Sequence, residues 1–75
     1  MSSPDLRDIL AYNIRAYRKR TGRSQDDFAA IAGLHRTYIG GIERSERNVT
    51  LATLDLLSKA MGVSASRLLE KGEVK

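Results

Sequence analysis

Apolar residues recur at steps of three and four along most of the chain, which is the period of amphipathic helices. The first set predicts a helix over residues 5–20 and comprises Leu6, Ile9, Leu10, Ile14 and Tyr17. Pro4 suits the first turn of this helix, and Asp5 complements its positive end. Gly22 can take the left-handed conformation that ends a helix. One long helix therefore opens the chain.

Two shorter helices follow, separated by a very short turn. Ser24 is a good N-cap for a helix over 25–32, which Gly33 ends and whose apolar residues are Phe28, Ala29, Ile31 and Ala32. The next helix is expected over 35–44, with His35 at its N-cap position. Its apolar residues are Tyr38, Ile39 and Ile42.

The last third of the chain predicts a loop and two more helices. Residues 45–49 lack helical periodicity, and Thr50 can cap a helix that Gly62 closes. Ser64 then caps a short final helix, and residues 71–75 are expected to fray. The apolar positions of these two helices are Leu51, Leu54, Leu57, Met61, Leu68 and Leu69. With no alternating pattern typical of strands, the sequence predicts an all-α, five-helix domain over residues 1–75.

Residues 24–44 have the spacing of a helix-turn-helix. The tight turn needs glycine at Gly33, small Ala29 lets the helices approach, and Leu34 fills the corner. Arg36 and Thr37 lie in the first turn of the second helix, the part of such a helix that reaches base edges in DNA.

Two adjacent glycines, Gly40 and Gly41, stand inside that second helix. Each costs roughly 1 kcal/mol relative to alanine. They indicate either a close approach, by DNA or by a neighbouring helix, or simple tolerance in a short helix. The sequence favours neither explanation.

Composition narrows the chemistry. The 75 residues include no cysteine and one histidine, so neither a disulfide nor a zinc site is expected, and no other metal or cofactor is indicated. The sequence offers neither a nucleophile next to a base nor a pair of catalytic carboxylates, so an enzyme is not expected. A chain this short buries a small core, so oligomerisation would add stability. With no apolar run of membrane-spanning length and no signal peptide, the expected location is the cytoplasm.

The formal net charge of +4 is concentrated on one segment. Residues 15–23 carry five basic side chains and no acidic one: Arg15, Arg18, Lys19, Arg20 and Arg23. Such a cluster is typical of a phosphate-binding surface, and a solvated helix face would explain it equally well.

The whole stretch from Asn13 to Leu69 resembles the Cro/Xre-type, phage-repressor-like helix-turn-helix family, with its lambda-repressor-like domain. It is most similar to the restriction–modification controller proteins, through residues 35–44 and the following Arg47 and Asn48. Such proteins commonly have serine at the position of Gly40, so base preference there is in question.

This resemblance implies roles for individual residues. Arg36, Thr37, Gly40 and Arg47 would face DNA bases. Contacts to the DNA backbone would come from Gln25, Tyr38 and Asn48. The basic cluster and the starts of the two helices add further candidates for backbone contact: Arg20, Arg23, Ser24 and His35. Arg18 and Glu43 would form a structural ion pair.

The resemblance also implies a homodimer on double-stranded DNA, alone or as two dimers on adjacent operator sites. Its contact would come from about residues 51–69, through Met61, Val63, Leu68 and Leu69. The residues alone leave it open whether Val63, Leu68 and Leu69 belong to the core or to this interface. The expected function is a transcription regulator, a controller protein that binds a pseudo-palindromic operator and autoregulates its promoter. A phage-type repressor or an antitoxin is the alternative. A protein-interaction module that lost DNA binding is a third possibility, disfavoured by Gln25, Arg36 and Thr37. Neither a membrane nor a small-molecule substrate is expected.

Overall fold

The computed structural model describes residues 5–71, and these residues form five helices with no strand among them. The helices are α1 (Leu6–Thr21), α2 (Gln25–Ala32), α3 (Arg36–Glu43), α4 (Leu51–Met61) and α5 (Ala65–Leu68). The predicted all-α architecture is confirmed for this part of the chain. The roles predicted for Pro4 and for residues 72–75 lie outside it. None of the helices described is both long and apolar enough to cross a membrane.

Side-chain caps fix where the helices begin. The hydroxyls of Ser24, Thr50 and Ser64 accept hydrogen bonds of 3.0, 3.1 and 3.2 Å from the N–H three residues ahead. Each bond satisfies a backbone donor that has no partner within the helix. Asp5 caps α1 in a related way, through the N–H of Arg7 at 2.9 Å. The predicted starts of these helices are therefore confirmed.

The turn between α2 and α3 depends on Gly33. Its φ is +72°, a left-handed conformation that side chains disfavour. This conformation lets the N–H of Leu34 donate to the carbonyl of Ala29 at 2.9 Å, which closes α2. Because only three residues separate the helices, α3 begins directly beside the end of α2.

The core lies between all five helices and is built mainly from aliphatic side chains. Phe28, Ile14, Ile39, Ile42, Leu57 and Leu68 are its largest fully buried apolar members. Leu34 and Tyr17 pack against this core while remaining partly accessible, as the turn and helix patterns predicted.

Three members of the apolar sets identified in the sequence lie outside the core. Leu6, Ile31 and Leu51 are 56%, 48% and 85% exposed. Leu6 and Leu51 each lie in the first turn of a helix, and Ile31 lies on the outer face of α2. Helical periodicity identifies an apolar stripe, but it does not show which residues of the stripe are left uncovered by the neighbouring helices.

The assignment of Met61 and Leu68 to a dimer contact also needs correction. Met61 is 5% exposed and Leu68 is fully buried, so both belong to the core of the single chain. Val63 and Leu69 are half-buried and retain accessible surface.

The fully buried Asn13 links the two ends of the described chain. Its Nδ2 donates to the carbonyls of Leu68 and Glu70, each at 2.9 Å. Both carbonyls lie at the end of α5, where the helix itself offers no donor. A polar side chain of α1 thus caps the last helix.

Candidate nucleic-acid interface

The exposed face of α3 begins with Arg36 and Thr37, both in its first turn. His35 caps this helix, because its Nδ1 accepts the N–H of Thr37 at 3.1 Å. A neutral imidazole that accepts at Nδ1 carries its proton on Nε2, so this nitrogen can donate to an anion at the helix start.

The far end of α3 is anchored at Glu43, which is 5% exposed. Arg18 of α1 donates to both of its carboxylate oxygens, through Nε at 2.6 Å and Nη2 at 2.8 Å. Gln25, the first residue of α2, donates to Oε1 of the same carboxylate at 3.1 Å. Arg15 adds a hydrogen bond to the main-chain carbonyl of Glu43. One residue therefore joins the three helices.

The surroundings of Glu43 favour its ionised form. Burial alone would raise the pKa of this carboxyl, but the hydrogen bonds from Arg18 and Gln25 and the charges of Arg18 and Arg15 outweigh it. The pKa of Glu43 consequently lies below its ordinary value. The same carboxylate raises the pKa of the Arg18 guanidinium. The ion pair is thus charged throughout the neutral pH range.

Gln25 has a second hydrogen to offer. Its Nε2 carries two N–H groups, and one of them donates to Glu43, which fixes the amide at the start of α2. Ser24, one residue earlier, engages its hydroxyl with the N–H of Asp27. The Gln25 amide and the Ser24 hydroxyl, which accepts that bond through its oxygen, thus each keep a hydrogen that can be donated to an external phosphate.

Arg36 is held by an acidic residue of α2. Its Nε lies 3.1 Å from Oδ1 of Asp26, and the two side chains are 64% and 72% exposed. An ion pair this exposed adds little stability. It does bring the carboxylate to Nε, which favours one placement of the guanidinium.

Each glycine of the Gly40–Gly41 pair lies beneath an arginine of this same chain. A Cβ on Gly40 would be 3.1 Å from Nη1 of Arg44, and a Cβ on Gly41 would be 2.9 Å from Cγ of Arg47. The second distance is shorter than real side chains show, so a side chain at residue 41 would require the Arg47 side chain to move. Both glycines are buried. The close approach considered from the sequence comes from the segment after α3.

This arrangement changes the role assigned to Gly40. A direct base contact by its backbone is wrong for the conformation seen here, because the Arg44 guanidinium covers it. The group exposed at this point of α3 is the Arg44 guanidinium, since Gly40 is buried beneath it. The residue could have been noticed in the sequence, since it stands four positions after Gly40 on the same helix face.

Arg47 is positioned by two contacts. Its stem crosses Gly41, and its guanidinium stacks 5.2 Å from the ring centre of Tyr38. Tyr38 is half-buried, whereas Arg47 and Asn48 are exposed. The loop after α3 therefore extends the surface of the helix, with Arg47 fixed on its side.

The basic cluster of α1 divides into two groups. Arg18 and Arg15 bind Glu43, as described above. Arg20 stacks 5.4 Å from the ring centre of Tyr17, and both Arg20 and Arg23 are exposed near the turn into α2. Only part of the cluster is thus engaged in holding α3. Within residues 5–71, no group of acidic, histidine or cysteine side chains could hold a metal ion.

The fold and this interface define a helix-turn-helix protein. The helix-turn-helix family matches residues 14–68, and the chain belongs to that family. Over 71 residues it is 52% identical to the control protein C.SmaI of Serratia marcescens, covering 95% of this chain and 84% of that protein.

Two solved structures have closely similar folds. One is the hypothetical transcription factor NHTF from Neisseria, with a TM-score of 0.84 and 39% identity over 95% of this chain and 85% of that one. The other is the restriction-modification controller protein C.Esp1396I, a tetramer in complex with its natural 35 base-pair operator. Its TM-score is 0.76 at 36% identity, covering 88% and 87% of the chains. The predicted likeness to controller proteins is confirmed.

Proposed function

We propose that this protein is a sequence-specific transcription regulator that inserts α3 into the major groove of DNA. The observation that carries this proposal is the exposed first turn of α3, with Arg36 and Thr37 side by side, on a helix anchored at its other end by Glu43. An arginine can bind the O6 and N7 of guanine as a fork, and a threonine can contact thymine. Rigid anchoring keeps these side chains in register with the bases.

The remaining residues of the interface fit contacts to the DNA backbone. Gln25 and His35 each have an N–H that can donate to a phosphate, at the start of α2 and of α3 respectively. Asn48, Arg20 and Arg23 add exposed polar or charged groups on either side of the helix-turn-helix. Phosphate contacts position a protein on DNA, whereas base contacts give specificity. Arg47, stacked on Tyr38, would extend base contact beyond α3.

We further propose that the protein acts in the cytoplasm as a homodimer on a pseudo-palindromic operator, regulates its own promoter, and is not an enzyme. One helix-turn-helix reads only a few base pairs, and each mismatch costs roughly 1–3 kcal/mol, so two copies are needed for selectivity. The similarity to C.SmaI and to the operator-bound C.Esp1396I supports a controller of a restriction–modification system.

Salt-dependent DNA binding tests the proposal. The probe is a duplex spanning the upstream region of the protein's own gene, compared with an unrelated duplex of equal length. Binding to the first should be tighter and should weaken steeply between about 50 and 200 mM salt. Binding that ignores salt, or no binding at about 50 mM salt, would exclude this function.

The variant Arg36→Ala tests the assigned base contact. It should lose about 1–3 kcal/mol on the upstream duplex and much less on the unrelated one. Lys59→Ala is the control, because it removes one charge from an exposed residue of α4 that pairs with Asp55. An equal loss on both duplexes would make Arg36 a phosphate contact.

A further inference from the structure

Arg44 follows Arg36 and Gly40 on one line along α3, at steps of four residues. Side chains on a helix lean toward its N-terminus, so Arg44 leans back over the preceding turn. That turn contains Gly40, which has no side chain to block it. Nη1 of Arg44 consequently lies 3.1 Å from the point where a Cβ of residue 40 would be, and Gln25 Oε1 lies 3.7 Å from the same point.

This places Arg44 in a shallow depression on the exposed face of α3. The depression is lined by Gln25, Arg36, Thr37, Gly40 and Arg44. Although it stands at the end of α3, Arg44 thus projects its charge toward the middle of the face that Arg36 and Thr37 begin. Its side chain is 59% exposed, so a ligand can reach it.

The two arginines of this depression are held in the same way. Glu46 Oε1 lies 3.1 Å from Nε of Arg44, as Asp26 Oδ1 lies 3.1 Å from Nε of Arg36. A carboxylate on Nε leaves the terminal nitrogens to bind the paired acceptors on a guanine edge. The acid also restrains a long side chain before DNA arrives, which lowers the entropy lost on binding.

We propose that Arg44 is a second base-reading arginine, admitted to the α3 face by Gly40 and oriented by Glu46. This inference rests on the proposed function and adds a specificity-determining residue to it. A base contact is favoured over a phosphate contact because the guanidinium lies over the centre of the face that enters the groove.

Selection from a pool of duplexes tests the inference. The probe is a set of duplexes of about 30 base pairs with a randomised centre, and the bound fraction is sequenced. Arg44→Lys keeps the charge but removes the fork, so it should lower the preference at one base pair per half-site about tenfold. Arg36→Lys should lower the preference at a different base pair. Gly40→Ala should lower the same preference by less than Arg44→Lys, since a Cβ at residue 40 requires Nη1 of Arg44 to move by a few tenths of an ångström.

Arg67→Lys is the matched control, because Arg67 lies on α5 and lines neither the depression of Arg44 nor the groove that Arg47 and Asn48 line. Thermal unfolding of each variant checks that the fold is kept. An unchanged preference in Arg44→Lys overturns the inference, as does an equal weakening on all sequences. If the wild-type protein itself enriches no sequence, the proposed function fails and this inference fails with it. A preference that is lost only in Arg36→Lys removes the inference alone.

Discussion

Among residues 5–71, Ser45 is the residue other than glycine that has a positive φ, at 61°. It ends α3, where its N–H donates to the carbonyl of Ile42 and the next N–H donates to Gly41, both at 2.9 Å. A left-handed backbone conformation costs an L-residue roughly 1–2 kcal/mol, a cost that glycine avoids. Glycine also makes the unfolded chain more flexible, which offsets part of this gain in stability. Ser45→Gly should therefore raise the free energy of unfolding by about 0.5–1 kcal/mol, measured by urea denaturation.

The control for Ser45→Gly is Ser66→Gly, inside α5. There glycine gains nothing from the backbone and should lower stability. Equal effects of the two changes would show that the conformation of Ser45 carries no cost.

The lowered pKa of Glu43 predicts how the free energy of unfolding depends on pH. Its pKa in the folded state lies below the ordinary value, so its contribution is complete above the unfolded-state pKa. That contribution is lost as the pH falls through the folded-state pKa. Glu43→Gln should lower the free energy of unfolding by about 3 kcal/mol at pH 7, because it leaves Arg18 without its counter-charge.

The difference between wild type and Glu43→Gln should shrink below about pH 4. Chemical denaturation across this pH range measures it. Asp5 also has a lowered pKa, through its hydrogen bonds to Arg7, but it is present in both proteins and its effect cancels. A difference that does not change with pH would mean that the charge of Glu43 is unimportant.

At the scale of the element, α5 depends on a side chain from α1. The helix has only four residues, and Asn13 supplies the donors for two of its terminal carbonyls. Asn13→Ala should cost about 1–3 kcal/mol, because the Leu68 carbonyl loses its partner in a buried setting and the Glu70 carbonyl loses one in a partly buried setting. Asn13→Asp should cost more at neutral pH, since it places a buried carboxylate against carbonyl oxygens. Asn48→Ala, at an exposed asparagine, is the control, and urea denaturation of all three variants gives the comparison.

The beginnings and ends of the elements were predictable from the sequence because short-range chemistry determines them. Ser24, Thr50 and Gly33 act within three or four residues of themselves, so their effects can be inferred without the fold. Asn13 was missed for the opposite reason. Its partners lie 55 and 57 residues away, and a polar residue in a helix ordinarily indicates the surface.

The candidate interface shows the same division. The spacing predicted Arg36 and Thr37, because the first turn of the second helix can be located from the motif alone. Arg44 could have been found from its spacing of four residues from Gly40, but the covered state of Gly40 could not, since it depends on how a side chain folds back across α3. The contact between Asp26 and Arg36 likewise could not be predicted, because it depends on how α2 and α3 pack together.

At the scale of the whole molecule, two buried polar groups connect the interface to the rest of the protein. Glu43 joins α1, α2 and α3, and Asn13 joins α1 to α5. Because α1 takes part in both, the exposed face of α3 is held in a fixed relation to the C-terminal helices. A dimer formed through those helices would therefore set the spacing of its two α3 faces rigidly, as binding to half-sites requires.

The exposed Leu51 indicates where such a dimer would form. At 85% exposure it borders a groove whose apolar residues are Leu6, Leu10, Val49, Leu54 and Leu69. Arg47 and Asn48 line the same groove, so a second copy seated there would bring the two loops after α3 together. Leu51→Ser should weaken self-association at least tenfold, since a two-fold interface loses the burial of two leucines, each worth about 1.5–3 kcal/mol.

Sedimentation over a range of concentrations measures this effect. Thermal unfolding at low concentration should be unaffected, because so exposed a side chain contributes little to the single chain. Leu56→Ser is the control, as Leu56 is 40% exposed and does not line this groove. If Leu56→Ser dissociated the dimer and Leu51→Ser did not, the contact would lie across the end of α4. DNA binding by Leu51→Ser should also become less cooperative, because each copy would then bind its half-site alone.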